Sequence, residues 1–482
     1  MRCNFVVAKG RGGSPSRPPS GNPAGCPYHQ FLRALHVGAS STRPIMGVRL
    51  DAPTIETMVP MTFYEILINE SMEKERPKLL FRKTRGNRHT LPRLLGILEG
   101  EGLNKDFDVR LGDSIGEIIQ LTGKDRAIIG FSFMTLHLMD VKTEMGRLRK
   151  YLGEKTLIIA GGPHATGDPQ GTLNLGFNSV FVGEADQTFP VFLRQYLCGK
   201  MPETSILIGE KGSCPLGTHP PFSLEHRFFA PIEITRGCLH NCHFCQTPRI
   251  FGHHLRHRQV SDFSEVLKKA IPRGYRQITF ISPNAFSYGA ESSKEPNLKA
   301  IEELLIGCNQ TGALGVHFGC YPSEVRPDWV NPEVLQLVKK YCRNQTIVLG
   351  AQSGSDSVLS AVHRGHTADQ AMNAARLIHE AGFRPHVDFV FGFPEETIKD
   401  RQLSLSMIRK MVDDYGARIH VHTFMPLPGT PLFQKNPSRL DPETKNALLE
   451  WERRGKMDGW WKDQEAIGWK IVKWREEGMI EA

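Results

Sequence analysis

The chain has 482 residues, of which 40% are apolar, 23% charged and 9% aromatic. At about 100–200 residues per domain, this length predicts two to four domains, and the composition excludes collagen, a coiled coil and disorder of the whole chain. The net charge is +9, but residues 1–50 hold seven Lys or Arg and no acidic residue, which leaves 53 basic and 51 acidic residues elsewhere. A body this close to neutral does not favour nucleic-acid binding, and no apolar run reaches the ~18–20 residues of a membrane-spanning helix.

Residues 1–45 are rich in Gly, Pro and Ser and lack periodic apolar positions. This composition predicts a disordered basic tail, because too little apolar surface is available to offset the entropy lost on ordering. Two interpretations stay open for the tail: an Arg-rich transit peptide, or an extended reading frame whose natural start is Met46. Residues 46–76 show no clear pattern and form a lead-in to the first predicted strand.

Residues 77–198 alternate short apolar runs with segments of helical periodicity. The alternation predicts a parallel sheet with helices on both faces, a doubly wound Rossmann-like domain whose ligands bind at the carboxyl ends of the strands. Strands are predicted at 78–83, 108–111, 126–134, 156–161 and 179–183, and helices at 91–99, 115–121, 138–152 and 189–197. Residues 199–229 are rich in Gly and Pro and are predicted to be a linker.

Residues 230–433 hold a second alternating series of six strand–helix units, which predicts a (β/α)6 partial barrel with its chemistry at the carboxyl ends of the strands. Its strands are predicted at 231–235, 277–281, 315–319, 346–350, 386–391 and 418–424, with helices near 262–270, 297–306, 332–341, 368–381 and 396–414. Residues 434–482 contain five of the six tryptophans. We interpret them as a helical cap that packs aromatic side chains onto the barrel.

Three of the ten cysteines, Cys238, Cys242 and Cys245, fall within eight residues directly after the first predicted barrel strand. Ten cysteines are too sparse for a disulfide framework, which favours a reducing compartment. Thiolates at Cys-x3-Cys-x2-Cys spacing on one loop can converge on an iron–sulfur cluster that leaves one iron open to a ligand. Zinc is the alternative, with a nearby histidine such as His240 completing a Cys3His site. The position at the carboxyl end of a barrel strand favours a catalytic cluster.

The three cysteines, together with Phe244, resemble the signature loop of radical S-adenosylmethionine (SAM) enzymes. Later barrel segments are similar to segments of the methylthiotransferase and elongator-type branches of that superfamily: 350–356, 364–365, 388–396 and 426–431. In the first domain, three segments resemble the cobalamin-binding-type domain of the cobalamin-dependent radical SAM class: 130–135, 161–164 and 183–186. The two matches occur in the order typical of that class.

The resemblance implies a 4Fe-4S cluster on the three cysteines, SAM bound to its open iron, and reductive cleavage of SAM to a 5′-deoxyadenosyl radical. The residues that the resemblance implies for SAM are Phe244, Ser282, Asn284, Glu324, Gln352, Ser353, Gly392 and Pro394. Those that it implies for cobalamin are Ser132, Thr135, Gly161, Gly162, His164, Gly183 and Glu184. The segment 282–284 stands where the family usually has Gly-Gly-Glu, and the Asp-x-His-x-x-Gly motif of a cobalamin lower ligand is missing. We therefore expect His164 near the periphery of the corrin.

Three functions stay open at this point. The first is a cobalamin-dependent radical SAM enzyme, a methyltransferase acting on an unactivated carbon, located in the cytoplasm and supplied by an electron donor of flavodoxin or ferredoxin type. The second is a corrin-independent radical SAM enzyme that modifies tRNA or a small metabolite, with a first domain that only covers the barrel mouth. The third is a zinc-stabilised, non-catalytic binding protein. The first hypothesis requires the loop edges of both domains to face each other across a closed cavity, because water would quench the radical.

A chain that starts at Met46 is expected to keep the melting temperature and the iron and sulfide content of the full chain. The reason is the composition of residues 1–45, which offers no apolar face for packing. Thermal unfolding and metal analysis of the two chains, prepared side by side, measure this. A cooperative loss of either property on truncation would show that the tail packs against the body.

Overall fold

The computed structural model describes residues 76–123, 125–152, 156–290 and 295–482. The predicted tail at 1–45 and nearly all of the lead-in at 46–76 lie outside these residues. Both predicted domains lie within these residues and are the subject of the following paragraphs.

The N-terminal domain is built on six parallel strands in the order β2-β1-β3-β4-β5-β6, with helices between them. The central strand β3 is buried at every position, which is why it reads as a continuous apolar run. The strands are β1 Lys78–Arg82, β2 Asp108–Gly112, β3 Ala127–Ser132, β4 Leu157–Gly161, β5 Ser179–Val182 and β6 Ile206–Ile208. The α-helices are α1 Thr90–Gly100, α2 Ile115–Thr122, α3 Leu138–Tyr151, α4 Pro163–Gly167, α5 Pro169–Asn174 and α6 Ala185–Leu197.

The strand β6 lies inside the segment that the sequence predicts as a linker. It pairs in parallel with β5, with Val180 opposite Ile206. A three-residue strand among Gly and Pro residues is too short to show a period of two, so the residue pattern of 199–229 did not reveal it. The remainder of that segment connects the sheet to the barrel.

The barrel domain follows, and helices cover its outer side. Its strands pair in parallel, except that Thr235–Arg236 pairs with Arg256–His257 in an antiparallel arrangement. Its strands are β7 Ile232–Glu233, β8 Thr235–Arg236, β9 Arg256–His257, β10 Gln277–Ile278, β11 Phe280–Ile281, β12 Gly315–Val316, β13 Thr346–Gln352, β14 Arg384–Phe391, β15 Arg418–Thr423 and β16 Met457–Asp458. Its α-helices are α7 Thr247–Phe251, α8 Ser264–Ala270, α9 Leu298–Asn309, α10 Pro332–Tyr341, α11 Asp356–Ala361, α12 Ala368–Glu380, α13 Ile398–Tyr415, α14 Pro442–Arg453 and α15 Trp461–Glu476. The short strand β16 extends the sheet beyond the six predicted units and pairs in parallel with β15.

Side chains alternate between two surroundings along β14 and β15. Val387, Phe389 and Val421 are fully buried and belong to the apolar core formed with the outer helices. His420 and Asp388, which lie opposite each other in the strand register, therefore project from the other face of the sheet, into the barrel interior. The interior of this part of the barrel is accordingly polar.

The two C-terminal helices pack in different places. Trp451 of α14 joins the barrel core, as the sequence predicts for the whole segment. Ile471 and Trp474 of α15 instead join the core of the N-terminal domain, together with Phe131. The helix α15 thus connects the two domains. None of the helices in the described residues is long and apolar enough to cross a membrane.

Candidate functional site: the cysteine loop and the cavity beside it

The cysteine loop begins where β8 ends. Gly237 has φ +87, a left-handed conformation that favours glycine, and a Cβ there would collide with the carbonyl oxygen of His254. The next backbone amide, that of Cys238, donates to the carbonyl oxygen of Gly252 at 3.1 Å. A glycine is therefore required immediately before the first cysteine of the loop.

Two buried arginines face the middle cysteine. Arg364 Nη1 lies 3.5 Å from Cys242 Sγ, and Arg326 Nη1 lies 4.0 Å from it. Arg364 is held in place because its Nη2 donates to the carbonyl oxygen of Gly350 at 2.7 Å. These guanidinium groups supply positive charge next to a sulfur that must be anionic to bind metal. Neither arginine was assigned a role from the sequence, although Arg364 lies in one of the segments that carry the resemblance.

Two of the cysteine thiols, those of Cys238 and Cys245, have raised pKa values when no metal is bound. Burial raises the pKa of Cys238 to about 11, with the other two thiols as further causes. Burial also raises the pKa of Cys245. Metal binding therefore displaces protons from this loop, as is usual for thiolate sites.

The spacing of the three sulfur atoms bears on which metal they hold. Two groups of three His, Cys, Asp or Glu side chains in the described residues have ligand atoms that all lie within 4.8 Å of one another. The three cysteines of the loop belong to neither group. A tetrahedral zinc site with Zn–S bonds of 2.3 Å places its sulfurs about 3.8 Å apart. The loop is thus more open than mononuclear zinc requires, and its donor set suits a larger iron–sulfur cluster.

The barrel residues predicted for SAM fall into two groups, and the first lies around Gly350. A Cβ on Gly350 would lie 2.7 Å from Gln352 Nε2, 2.8 Å from Arg364 Nη2 and 3.1 Å from Glu324 Oε2. Gln352 has φ +72, a costly conformation for a residue with a side chain. Burial, followed by the charge and hydrogen bond of Glu324, raises the pKa of Asp388 well above its ordinary value. The structure thus brings Glu324 and Gln352 together beside the arginine that contacts Cys242.

Asn284 also lies near the cysteine loop. Its side chain and Cys238 line the same small pocket. Its Oδ1 accepts from the backbone amide of Arg326 at 3.2 Å, whereas its buried Nδ2 has no hydrogen-bond partner in the described part of the chain. The Ser282 hydroxyl is used within this turn, since it donates to the carbonyl oxygen of Asn284 at 2.7 Å. Of the two predicted residues, Asn284 offers the free donor.

The second group of residues predicted for SAM, Ser353, Gly392 and Pro394, lies in barrel loops that are held by internal hydrogen bonds. Ser353 Oγ lies 3.3 Å from Ser404 Oγ and accepts from the backbone amide of residue 355 at 3.1 Å. The amide of Gly392, at φ +78, donates to the Glu396 carboxylate at 2.7 Å. Pro394, half-buried, lies two residues further on in the same turn. The polar groups of Ser353 and Gly392 are therefore engaged inside the fold.

A cavity of about 580 Å³ lies between the N-terminal domain and the cysteine loop. From the N-terminal domain it is lined at the carboxyl ends of the strands by Ser132, Gly161, Gly162, Gly183 and Glu184. From the barrel it is lined by Phe244, Cys245, Gln246, Ile250 and Phe251. The loop edges of the two domains face each other across it, as expected from the order of strands and helices.

Two residues predicted for cobalamin, Thr135 and His164, are enclosed behind the cavity wall. The His164 ring is fully buried, and its Nδ1 lies 3.0 Å from the Thr135 hydroxyl. Its ring centroid is 5.2 Å from that of Phe133. Burial lowers the pKa of His164 to about 4, so the ring is neutral at pH 7. His164 supports the 161–164 turn and is not placed to reach a ligand in the cavity.

A buried arginine–carboxylate network joins the two domains next to the cysteine loop. Arg236, two residues before Cys238, donates to Glu184 at 2.9 Å and to Asp186 and Glu233 at 2.7 Å each. The network consists of Arg93, Glu184, Asp186, Glu233, Arg236 and Arg256. Both carboxylate oxygens of Glu184, predicted for cobalamin, are occupied by arginines. Its partners lie about 50 or more residues away in sequence, so no local motif indicated this structural role.

Gln246 forms a second connection beside the loop. Its side-chain amide donates to the carbonyl oxygen of Pro163 at 3.2 Å and to that of Pro428 at 2.8 Å. The first carbonyl belongs to the N-terminal domain and the second to the barrel. The residue that follows Cys245 therefore ties the cysteine loop to both domains.

Comparison with known proteins agrees with this geometry. Residues 232–408 match the radical SAM superfamily. An uncharacterized protein of Methanopyrus kandleri is 24% identical over 412 residues, covering 73% of this chain and 76% of that protein. A putative methylthiotransferase of Methanocaldococcus jannaschii is 28% identical over 355 residues, covering 70% of this chain and 74% of that protein.

Solved structures share the arrangement of an α/β domain beside a partial barrel. TsrM from Kitasatospora setae, a radical SAM methyltransferase solved with cobalamin and a [4Fe-4S] cluster bound, superposes with a TM-score of 0.57 at 14% identity, over 75% of this chain and 77% of that one. OxsB, a cobalamin-dependent radical SAM enzyme solved with aqua-cobalamin, superposes with a TM-score of 0.55 at 14% identity, over 82% of this chain and 63% of that one. At these identities the likeness establishes the fold.

Proposed function

Because residues 232–408 match the radical SAM superfamily, we propose that this chain is a radical SAM enzyme that binds cobalamin in the cavity between its two domains and transfers a methyl group to an unactivated carbon. Enzymes of this superfamily use a 4Fe-4S cluster and SAM. The observation that carries the proposal is the cavity itself, which is lined both by Cys245 of the cysteine loop and by the strand ends of the N-terminal domain. A ligand held at those strand ends would lie next to the cluster loop.

The residues that line the N-terminal side of the cavity fit a large flat ligand. Gly161 and Gly162 present no side chain there, and Gly162 adopts φ +93 with its backbone close to Ser132. His164 is enclosed, so the corrin would be held without a histidine ligand to cobalt. Cobalamin, when bound, would supply a methyl group carrier. This arrangement agrees with the missing lower-ligand motif.

The barrel residues would hold the cluster and SAM. Cys238, Cys242 and Cys245 would bind three irons, and Arg326 and Arg364 would stabilise the Cys242 thiolate by charge-assisted hydrogen bonds. Asn284, Glu324 and Gln352 carry the polar groups nearest to the loop and to Arg364. The aromatic rings of Phe244 and Phe251, which line the cavity, would limit access of water to a reacting carbon.

Titration with hydroxocobalamin under anaerobic, reducing conditions tests the proposal. We expect saturable binding of one corrin per chain, and transfer of labelled methyl from SAM when a carbon acceptor is found by screening. No corrin binding, together with full SAM cleavage by the corrin-free protein, would show instead that the N-terminal domain only covers the barrel mouth. Retention of zinc without sulfide in anaerobically prepared protein would contradict the radical chemistry itself.

The variant Gly161→Leu is expected to weaken hydroxocobalamin binding by about tenfold or more while the iron and sulfide contents stay unchanged. Gly161 ends β4 and lines the cavity, its φ lies outside the left-handed region, and the nearest atom to an added Cβ is Phe181 Cβ at 3.7 Å. The new side chain thus fills space with little backbone strain.

The matched control for this prediction is Gly146→Leu. Gly146 lies in α3 and an added Cβ would meet nothing within 4 Å. We expect it to bind hydroxocobalamin as the unaltered chain does. Equal binding by Gly161→Leu and Gly146→Leu would place the corrin site elsewhere.

A corrin-independent modification of tRNA or a small metabolite is the second candidate. It is favoured by the similarity to the putative methylthiotransferase of M. jannaschii, which covers 70% of this chain. The corrin titration separates the two, because SAM cleavage and product formation would then proceed at full rate without cobalamin. The near-neutral charge of residues 51–482 favours a small substrate over tRNA.

Both candidates need a single-electron donor, and we propose a flavodoxin or ferredoxin type. A reduced iron–sulfur cluster requires a reducing compartment. We therefore propose that the protein is located in the cytoplasm. Measuring SAM cleavage with a reduced flavodoxin and with a chemical reductant would show whether such a protein suffices. Cleavage with the chemical reductant alone would point to another donor.

A further inference from the structure

Three side chains that the proposed reaction does not use converge inside the barrel, on strands β14, β15 and β16. His386, His420 and Asp458 each offer one ligand atom, and these atoms all lie within 4.8 Å of one another. His420 Nδ1 is 2.5 Å from Asp458 Oδ1, and His386 Nε2 is 3.5 Å from the same oxygen. The ring centroids of the two histidines are 5.9 Å apart with the planes at 79°, so both nitrogens approach one point from different directions.

The strand register explains why the three side chains meet. His420 on β15 lies directly opposite Asp458 on β16 in the parallel pairing. His386 lies on β14, opposite Arg418, which precedes His420 by two residues and shares its face of β15. Because paired strands hold these positions, the convergence does not depend on a loop.

Only some of the polar atoms of His386, His420 and Asp458 form hydrogen bonds. His386 Nε2 is buried and has no hydrogen-bond partner in the part of the chain that the structure describes, and it lies 3.5 Å from Asp458 Oδ1. Arg418 Nε occupies the other oxygen of Asp458, Oδ2, at 2.7 Å. The carboxylate is thereby oriented with Oδ1 toward the two histidines.

The surroundings leave room for further ligands. The side chains of His386, His420 and Asp458 are 25%, 26% and 34% exposed, respectively. They lie in the polar interior of the barrel, where the rings of His422 and His420 meet edge to face with their centroids 4.5 Å apart. Water or an oxygen or nitrogen donor can therefore reach a cation held there.

We propose that His386, His420 and Asp458 form a binding site for a divalent transition-metal ion, distinct from the cysteine loop. Two imidazoles and one carboxylate are donors that suit zinc and ferrous iron, with the remaining coordination positions open to the barrel interior. Arg418 acts as the outer partner that fixes the carboxylate, as is common around metal ligands. This site is independent of cobalamin.

The second converging group, Asp186, Cys214 and His219, does not qualify in the same way. Both oxygens of Asp186 are already bonded, one to Arg93 and one to Arg236, at 2.5 and 2.7 Å. A cation there would have to compete with two guanidinium groups. This second group provides a comparison for the experiment below, because a metal bound by it would have the Cys214 sulfur as a ligand.

The test is equilibrium dialysis of the cluster-loaded, full-length protein against zinc sulfate, with elemental analysis and X-ray absorption at the zinc edge. We expect one zinc per chain with only nitrogen and oxygen ligands. His386→Ala and His420→Ala should each weaken zinc binding by about tenfold or more. The exposed surface histidine variant His379→Ala and the variant Cys214→Ala should keep it.

Sulfur in the zinc coordination sphere, or unchanged zinc binding in His386→Ala and His420→Ala, would overturn the proposal. Circular dichroism melting of each variant establishes that it is folded. Asp458→Asn serves as a milder change, because an amide oxygen can still accept from Arg418 while the negative charge on the proposed ligand is lost. Zinc affinity of Asp458→Asn equal to that of the unaltered protein would also count against the site.

Discussion

Replacing Cys242 by alanine is expected to remove the iron–sulfur cluster and all reductive cleavage of SAM. Cys242 is the middle one of the three proposed ligands, and two buried arginines, Arg326 and Arg364, lie 4.0 and 3.5 Å from its sulfur. Without the thiolate, these two cations lose the anion that they share, although Arg326 keeps its ion pair with Asp328 at 3.0 Å. We expect iron and sulfide to fall from about four of each per chain to near zero, with loss of the broad thiolate-to-iron absorption band.

The control for this experiment is Cys320→Ser, which changes a half-buried free cysteine outside the loop. It should keep the iron, the sulfide and the production of 5′-deoxyadenosine from SAM. Iron analysis and product analysis of the two variants, reconstituted side by side without oxygen, give the comparison. Full cluster content in Cys242→Ala would show that other residues hold the iron.

Replacing Arg236 by alanine is expected to lower the free energy of unfolding by about 3–5 kcal/mol, because it removes one of the two cations paired with each of Glu184 and Asp186 and breaks the ion pair of Glu233. Arg236 bonds to Glu184, Asp186 and Glu233, and the side chains of Arg236, Glu184 and Asp186 are at most 6% exposed. The midpoint of urea unfolding at pH 7 measures the change. Arg376→Ala, which removes an exposed pair with Glu380, should cost less than about 0.5 kcal/mol.

The effect of Arg236→Ala should depend on pH in a defined direction. Burial acts to raise the pKa of Asp186, but Arg236 and Arg93 outweigh it and hold the pKa well below its ordinary value. A group of this kind stabilises the fold above its unfolded pKa of about 3.9 and loses that contribution as the pH falls through its folded pKa. We therefore expect the difference between the two proteins to shrink below about pH 4. A difference that stays constant down to pH 3 would contradict this assignment.

The fold could be predicted where hydrophobic periodicity is long enough to show. The prediction of a strand at 126–134 corresponds to β3 Ala127–Ser132, because a strand buried on both faces has a continuous apolar sequence. The two- and three-residue strands β16 and β6 were missed, since so few residues show no period. The domain on which α15 packs was not predicted, for another reason. Its Trp474 packs on a domain more than 250 residues earlier, and a tryptophan does not indicate which core it joins.

The cysteine loop could be proposed as a site from the sequence, because its three cysteines are close together along the chain. The contacts that surround the loop come from distant positions and leave no local pattern. Arg364 reaches Cys242 across 122 residues, and Arg236 reaches Glu184 across 52. Glu184 was assigned to cobalamin because it lies in segment 183–186, which resembles the cobalamin-binding-type domain. Only its partners show that both of its oxygens hold the domains together.

The position of α15 determines when the apolar core of the N-terminal domain is completed during synthesis. Ile471 and Trp474 complete the apolar core of the N-terminal domain, so that core stays partly uncovered while the ribosome is still translating the barrel. Newly made N-terminal domains therefore present an apolar surface until residues 461–476 have been added. A chain interrupted before this helix would accordingly be a target for chaperones and proteases.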